Sequence, residues 1–582
     1  MSFKRFLLAL LMLAAAQPAL SQPIPVEDFW KRSSFREVKI SPDGRYLAAT
    51  VPFEKLTALV VMDLASKQVT GSFKPQEKAY IGEFYWVSNK RLLFTSSVRE
   101  GANASPSWTG AWYAMNADGS NIGTAYGRGY FAQILDTLKD DDKFVLVQYA
   151  SDTGSSTYGR MNVENGDIRP TFKKPPTEGY GQFVTDNAAQ VRGFIKAKSY
   201  KDSKVYMRAS EEADWVVIHD QKATGQDFEA KAFSADNQML YYTLSQTTGP
   251  NALFTYNFKS GEKKKIARDD NVDPGVLLSS PVDDSVYAVR YEDGFPRYEF
   301  IDKSNPFARN LIKLQASFPD ADVYPVSATL DGNKIIYVVE SDTIAGEYYL
   351  FDNTTQKAEH LVSRASWIDS AKLSLMDPMK FKARDGLDIE VFVTTPKGSS
   401  GKNLPLIVNP HGGPFGPYDS WGYNPEVQML ASRGYAVMQV NFRGSGNYGK
   451  EFREKGYRQW GKTMQDDLTD ATRWAISQGI ADPDRICIYG ASYGAYAALM
   501  GAAKEPALYR CAVGNVGTYD LPIQLNYSTN GGGGMNPAKA FFGDVAQDDV
   551  AQYSPARLAA NIRIPVMLFA GEKDTTCPPE QT

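Results

Sequence analysis

One short pattern recurs seven times between residues 59 and 352, and it restricts the fold of this chain more than any other feature. An apolar run ends at a polar turn. The copies are Leu59-Val60-Val61-Met62-Asp63, Trp112-Tyr113-Ala114-Met115-Asn116, Tyr158-Gly159-Arg160-Met161-Asn162, Val205-Tyr206-Met207-Arg208, Leu253-Phe254-Thr255-Tyr256-Asn257, Tyr298-Glu299-Phe300-Ile301-Asp302 and Tyr348-Tyr349-Leu350-Phe351-Asp352. Their closing residues are spaced by 53, 46, 46, 49, 45 and 50 positions. A period in the high forties, filled with short strands, is the pattern of propeller blades, each of which buries its faces against its neighbours. Further strand pairs fall between the copies. Ser41-Pro42-Asp43-Gly44-Arg45 precedes Tyr46-Leu47-Ala48-Ala49, and Asp331-Gly332-Asn333 precedes Ile335-Ile336-Tyr337. Asp, Asn and Gly tolerate the positive φ of tight hairpins. The spacing predicts a seven-bladed β-propeller with an N-terminal lead-in over residues 22–368. A tandem of sandwiches fits a single regular period less well. Glu211-Glu212 falls beside a hairpin turn, where neighbouring side chains point opposite ways, so it reads as a solvated turn and not as a clamp for an amine.

From about Ser370 the pattern changes. Met379 to Thr395 reads as strands around an Asp385-Gly386 turn. Pro405–Val408 and Tyr435–Val440 read as buried strands, and Arg485–Tyr489, Cys511–Val513 and Pro565–Phe569 as further strands. Thr463 to Ser477 has helical spacing with Met464, Leu468, Ala471 and Trp474 on one side, and Ser492 to Lys504 is an Ala-rich helix. Strands alternating with helices predict a mostly parallel sheet with helices on both faces over residues 369–582. Gly490-Ala491-Ser492-Tyr493-Gly494 has the form G-x-S-x-G between a strand and a helix, the setting of a nucleophile elbow. Ser492 is the candidate nucleophile, and the Tyr493 backbone N–H can stabilise an oxyanion at the helix N-terminus. Asp574, in Gly571-Glu572-Lys573-Asp574 at the end of the last strand, is the candidate acid of a triad in the order Ser, Asp, His, which is the order of α/β hydrolases.

These segments together resemble the prolyl oligopeptidase family, with the acylaminoacyl-peptidase and dipeptidyl-peptidase-like bacterial branch nearest. The motifs are His411-Gly412-Gly413-Pro414, Asn441-Phe442-Arg443-Gly444-Ser445-Gly446-Asn447-Tyr448-Gly449, Gly490 to Ala495 and Gly571 to Pro578. The resemblance implies a serine peptidase that cuts short peptides through an acyl-enzyme, with the propeller restricting access. It implies a backbone N–H around Gly413 as an oxyanion donor, since His411 stands where some branches carry a tyrosine. It implies that Val516 and Tyr519 line the substrate pocket beside Tyr493. It also implies a base histidine a few dozen residues beyond Asp574, after one more strand. The chain ends at Thr582, so it is expected to be a C-terminally truncated copy that lacks this histidine and is nearly inactive. The same groups would equally serve an esterase, and a propeller with a decayed hydrolase would be a binding protein.

Lys4 and Arg5, the apolar run Phe6 to Ala16 and the site Ala19-Leu20-Ser21 form a secretory signal over residues 1–21, so an exported protein, periplasmic or secreted, is expected. That run is too short to span a bilayer, and no later segment reads as a membrane span. A net charge of −4 without a basic tract gives no footprint for nucleic acid. No cofactor or metal is expected, because His219, His360 and His411 lie far apart and the cysteines have no zinc spacing. Cys487 and Cys511 sit in apolar strand patterns and read as buried free thiols. The partners expected are peptide substrates; the residues leave the oligomeric state and the cleavage preference open.

Overall fold

The computed structural model describes residues 23–75, 79–98, 107–127, 132–171, 173–530, 541–542 and 550–582. The expected signal, residues 1–21, lies outside them.

Residues 38–363 form antiparallel meanders arranged as a propeller. The first sheet has eight strands, running from Val38–Ile40 to Gly123–Tyr126. Four-stranded sheets follow over 133–170, 182–220 and 228–267, then a three-stranded sheet over 277–300 and a four-stranded one over 322–363. The seven expected separate sheets become six. A single parallel pairing, Thr57 with Tyr80, merges the first two meanders into the eight-stranded sheet.

The recurring residues have a local cause. Asp63, Asn116, Asn162, Asn257 and Asp352 each close a strand, and Arg208 and Asp302 follow one by a residue or two. Asp63 Oδ1 accepts from Ala65 N at 3.1 Å, Asn162 Oδ1 from Glu164 N at 2.8 Å and Asn257 Oδ1 from Lys259 N at 2.9 Å. Each side chain thus folds its own turn and starts the next strand.

The first and last sheets meet through a shared apolar layer: Val38, Ile40, Leu47 and Ala49 pack with Ile336, Val338 and Tyr348. Ile40 N donates to Ser327 Oγ at 3.1 Å, and Leu330 N to Pro42 O at 3.0 Å. No strand pairing joins these two sheets among the described residues.

The C-terminal unit is built on one seven-stranded sheet. Its strands are β1 (Met376–Lys382), β2 (Asp388–Thr394), β3 (Leu404–Pro410), β4 (Ala436–Asn441), β5 (Ala481–Ala491), β6 (Cys511–Asn515) and β7 (Val566–Phe569), in the order β1-β2-β4-β3-β5-β6-β7. The β1–β2 and β2–β4 pairings are antiparallel and the others parallel. The helices include α1 (Pro425–Ala431), α2 (Thr463–Ser477) and α3 (Tyr493–Lys504). Met464, Leu468 and Ala471 of α2 are buried, as the helical spacing predicts, and Trp474 stacks on Phe381. β7 is the outer strand, and all four of its residues, Val566, Met567, Leu568 and Phe569, are exposed.

One expectation is corrected here. Cys487 and Cys511 are not free thiols but a disulfide, with Cα atoms 4.7 Å apart. They are direct register partners on β5 and β6, so both side chains leave the same face of the sheet. The bond closes a loop with a sequence separation of 24. Replacing both cysteines with alanine should cost about 3 kcal/mol of stability. A fall in the thermal midpoint of the oxidised protein on mutation, reproduced in the unmutated chain by a dithiol reductant, checks this.

Candidate active site

The carboxyl ends of β3, β5 and β6 converge, and the tight turn from β5 into α3 is set by what glycine leaves out. A Cβ at Gly494 would stand 2.1 Å from the Pro410 carbonyl oxygen, and one at Gly490 would stand 2.6 Å from Gly494 C. No side chain fits either place. Gly494→Ala should therefore cost about 3 kcal/mol through overpacking against backbone, read as a lowered unfolding midpoint or as loss of soluble protein. Unchanged stability would show that the turn is looser than described.

Ser492 takes φ +55° and ψ −119°, an uncommon conformation for a residue with a side chain. Its N–H donates to Asn515 O at 2.9 Å, which pins the turn to β6. Its Oγ lies 3.9 Å from Cys577 Sγ, and that sulfur is 3.4 Å from Thr518 Oγ1. Burial pushes the Cys577 thiol up, so it stays protonated at neutral pH and is no base. Cys577 lies inside the Gly571 to Pro578 motif without a role of its own, and Thr518 has no local mark; they come to Ser492 through the packing of residues 575–582.

Tyr493 opens α3, and the first N–H groups of a helix have no partner within it. The oxyanion role expected of Tyr493 concerns this backbone group. Its side chain does something else. The ring is buried, only 1% exposed, against Trp460 at 4.5 Å and Phe442 at 5.1 Å. Burial holds its hydroxyl well above the usual tyrosine range. Tyr519 is likewise buried, and its ring lies so close over Gly517 that a Cβ there would be 2.4 Å from Tyr519 Cζ. Of the expected pocket residues, the rings of Tyr493 and Tyr519 belong to the core cluster beside the Ser492 turn, and Val516 is half-buried with its N–H donating to Phe569 O at 2.8 Å.

The loop after β3 passes the serine. A Cβ at Gly412 would stand 3.4 Å from Ser492 Cβ, and Gly413 has φ +126°. The His411 side chain is engaged by other groups. Its Nε2 is 2.8 Å from Ser445 Oγ, its Nδ1 is 2.7 Å from Gly412 O, and its ring stacks on Phe442 at 4.4 Å. The partner Ser445 lies inside a motif that sequence reading quoted without giving it a role. Asp574 is half-buried in the turn after β7, where its Oδ1 accepts from Thr576 N and Cys577 N, both at 2.8 Å.

The other histidines serve the propeller. His219 Nε2 is 2.8 Å from Gln226 O, and His360 pairs with Glu347 at 2.6 Å. In the Glu211-Glu212 turn the Glu212 side chain is 83% exposed, while Glu211 is half-buried. Lys173 bridges the pair, and Glu211 also accepts from Tyr158 Oη at 3.2 Å. Among the described residues no three or more His, Cys, Asp or Glu side chains are grouped to hold a metal ion.

The segment from Asn441 to Gly449 joins this site to both units. Arg443 grips buried Asp467 of α2 at 2.7 Å and Asp385 at 2.8 Å. Asn447 Nδ2 donates to Glu292 O at 2.8 Å, and Asp273 N donates to Asn447 O at 2.6 Å. Beyond it, Lys450 and Arg453 close on Asp227 of the propeller at 2.8 and 2.7 Å.

Residues 421–582 match the prolyl oligopeptidase family. The chain is 29% identical over 384 residues to dipeptidyl aminopeptidase BIII of Pseudoxanthomonas mexicana, covering 63% of this chain and 55% of that protein. It is 26% identical over 405 residues to dipeptidyl peptidase family member 6 of Caenorhabditis elegans, covering 63% and 53%. The matched stretch thus spans about half the length of these relatives. A solved structure of a puromycin-hydrolyzing peptidase from Mycobacterium tuberculosis superposes with a TM-score of 0.69 at 17% identity, over 96% of this chain and 89% of that one. At that identity the likeness concerns the fold, a propeller joined to a hydrolase domain.

Proposed function

We propose, from the premise that residues 421–582 belong to the prolyl oligopeptidase family, that the protein is a serine peptidase hydrolysing short peptides through an acyl-enzyme on Ser492. The observation that carries this is the Ser492 turn: a φ of +55° at the mouth of α3, with the Gly412-Gly413 loop alongside. In this reading Ser492 Oγ attacks the peptide carbonyl, and the Tyr493 and Gly413 N–H groups receive the developing oxyanion. Asp574 orients a histidine, which none of His219, His360 and His411 supplies from its observed position. The names of the relatives, a dipeptidyl aminopeptidase and a dipeptidyl peptidase, favour peptides over esters as the substrate class.

We count the eight-stranded sheet as two blades, which makes seven with the five other sheets. The domain limits 22–368 and 369–582 are kept, although Ile24 and Phe29 pack on Leu373 of the hydrolase side. Export of the protein fits the Cys487–Cys511 disulfide, since such bonds persist in oxidising compartments.

The test is covalent. Protein expressed from its complete reading frame is treated with a fluorophosphonate, digested and mapped by mass spectrometry. One adduct on Ser492 is expected. An adduct on another serine, or none, would sink the assignment.

A further inference from the structure

Each propeller meander turns for the first time at the end that faces away from the hydrolase. These turns are 41–45, 87–90, 137–143, 186–190, 234–238, 280–285 and 329–333. The hydrolase is met from the opposite strand ends, by Asp227 and Asp273 between sheets and by Glu292 and Asp342 at the ends of second strands. First strands line the channel of a propeller. Here they pack on one another, as Val38–Ile40 does on Asp322–Ala328 and Gln133–Asp136 on Gln182–Thr185, while the last strands Lys263–Ala267 and Lys357–Ser363 carry exposed runs. The first turns therefore ring the far mouth of the channel.

Neighbouring turns in this ring touch directly. Leu330 N donates to Pro42 O, and Asn187 N to Asn237 Oδ1, both at 3.0 Å. Lys139 and Asp284 are not neighbours, yet Lys139 Nζ lies 2.8 Å from Asp284 Oδ2. One way round the ring, the sheets over 182–220 and 228–267 separate them; the other way, the sheet over 322–363 and the eight-stranded sheet do. The pair thus crosses the mouth. A cavity of about 510 Å³ remains beside it, with Pro42, Trp86, Asp136 and Leu330 in its wall.

The crossing also holds like charges together. Asp136, Asp140, Asp142 and Asp284 line this mouth, with Lys139 as the one base among the lining residues. Burial raises the Asp136 carboxyl above the usual range; Lys139 opposes the rise, and Asp284 and Asp186 add to it. Without Lys139, carboxylates face one another across the opening and repel. The side chains of Lys139 and Asp284 are 40% and 32% exposed, and such a pair biases an equilibrium by no more than about fivefold. A bar of that strength parts readily and acts as a threshold, not a plug.

We propose that Lys139 and Asp284 are size-selecting residues: their pair bars the far mouth of the channel, the gap beside it passes short peptides, and longer ones reach Ser492 when the pair parts. This rests on the reading of Ser492 as the acylating nucleophile.

Charge reversal and charge exchange test it, in protein from the complete reading frame. Two peptides that share one cleaved bond, of about four and about twelve residues, are compared. In Lys139→Glu, kcat/KM for the longer peptide should rise about fivefold and for the shorter less than about twofold, the scale of losing a half-exposed ion pair. Lys139→Glu/Asp284→Lys should return the longer peptide to within about twofold of the unmutated value. About 1 M NaCl should favour the longer peptide in the unmutated protein as Lys139→Glu does, because salt screens exposed charges. An unchanged ratio of the two peptides in Lys139→Glu, or no recovery on charge exchange, overturns the proposal.

A second readout needs no turnover. Spin labels on Asp140→Cys and Val282→Cys sit on the two barred turns, both at exposed positions. Their distance distribution should lengthen or broaden in Lys139→Glu and return on charge exchange. An unaltered distribution overturns the proposal even if Ser492 proves to be the nucleophile, and Ser492→Ala, assayed alongside, reports on the nucleophile separately.

Discussion

Ser492→Ala, made in protein from the complete reading frame, should lower kcat/KM for alanyl, prolyl and acyl-alanyl amides by about a thousandfold or more. The size follows from what the residue does in the proposed mechanism. The acyl-enzyme needs an oxygen at the mouth of α3, and Ser492 is the side chain that the β5 turn thrusts there. Removing it leaves the oxyanion donors and substrate binding, which alone sustain only residual catalysis. The Thr518 hydroxyl is engaged with Cys577 Sγ and Gln524 Oε1, both at 3.4 Å. Turnover of the alanine variant within tenfold of the unmutated protein would show that another group attacks.

A polypeptide of residues 22–582 alone should hydrolyse the same amides no faster than the Ser492→Ala variant. A serine hydroxyl is a weak nucleophile until a neighbouring base takes its proton. His411 is committed to Ser445 and Gly412, while His219 and His360 sit in propeller strands. Cys577, whose Sγ lies 3.9 Å from Ser492 Oγ, keeps its proton because burial disfavours the thiolate. Asp574 spends Oδ1 on two backbone N–H groups of its own turn. Initial-rate assays on both polypeptides decide the matter. Brisk turnover by residues 22–582 would mean that one of these groups serves as base after all.

The parts legible in the sequence are those governed by local chemistry. Asp63, Asn162 and Asn257 could be read as turn markers because each caps its own turn, a relation complete within three residues. The Ser492 elbow could be read because its glycines are required by contacts at the turn itself. What escaped depends on register and on distant packing. Whether Cys487 meets Cys511 is decided by how β5 and β6 align, and a one-residue slip would turn one sulfur to the other face. The merging of the first two meanders hangs on one pairing between Thr57 and Tyr80. That the rings of Tyr493 and Tyr519 are buried follows from three-dimensional packing and not from their place in the chain. Ser445 meets His411 only because strand order brings β4 beside β3.

The way the first and last sheets meet makes the propeller a split hoop. Within each sheet, radial stiffness comes from ladders of backbone hydrogen bonds, whereas across the seam between Ile40 and Ser327 it comes from side-chain packing and scattered bonds. The other boundaries between separate sheets also have no strand pairing among the described residues, so outward load on the inner wall would be taken up at such joints. The hydrolase side bears on the same sector, since Asp342 of the last sheet accepts from Met376 N at 2.6 Å and Gln428 Nε2 donates to Asp342 O at 2.9 Å. Both fastenings hold the last sheet alone, so one lip of the seam is tied to the domain that sits on it.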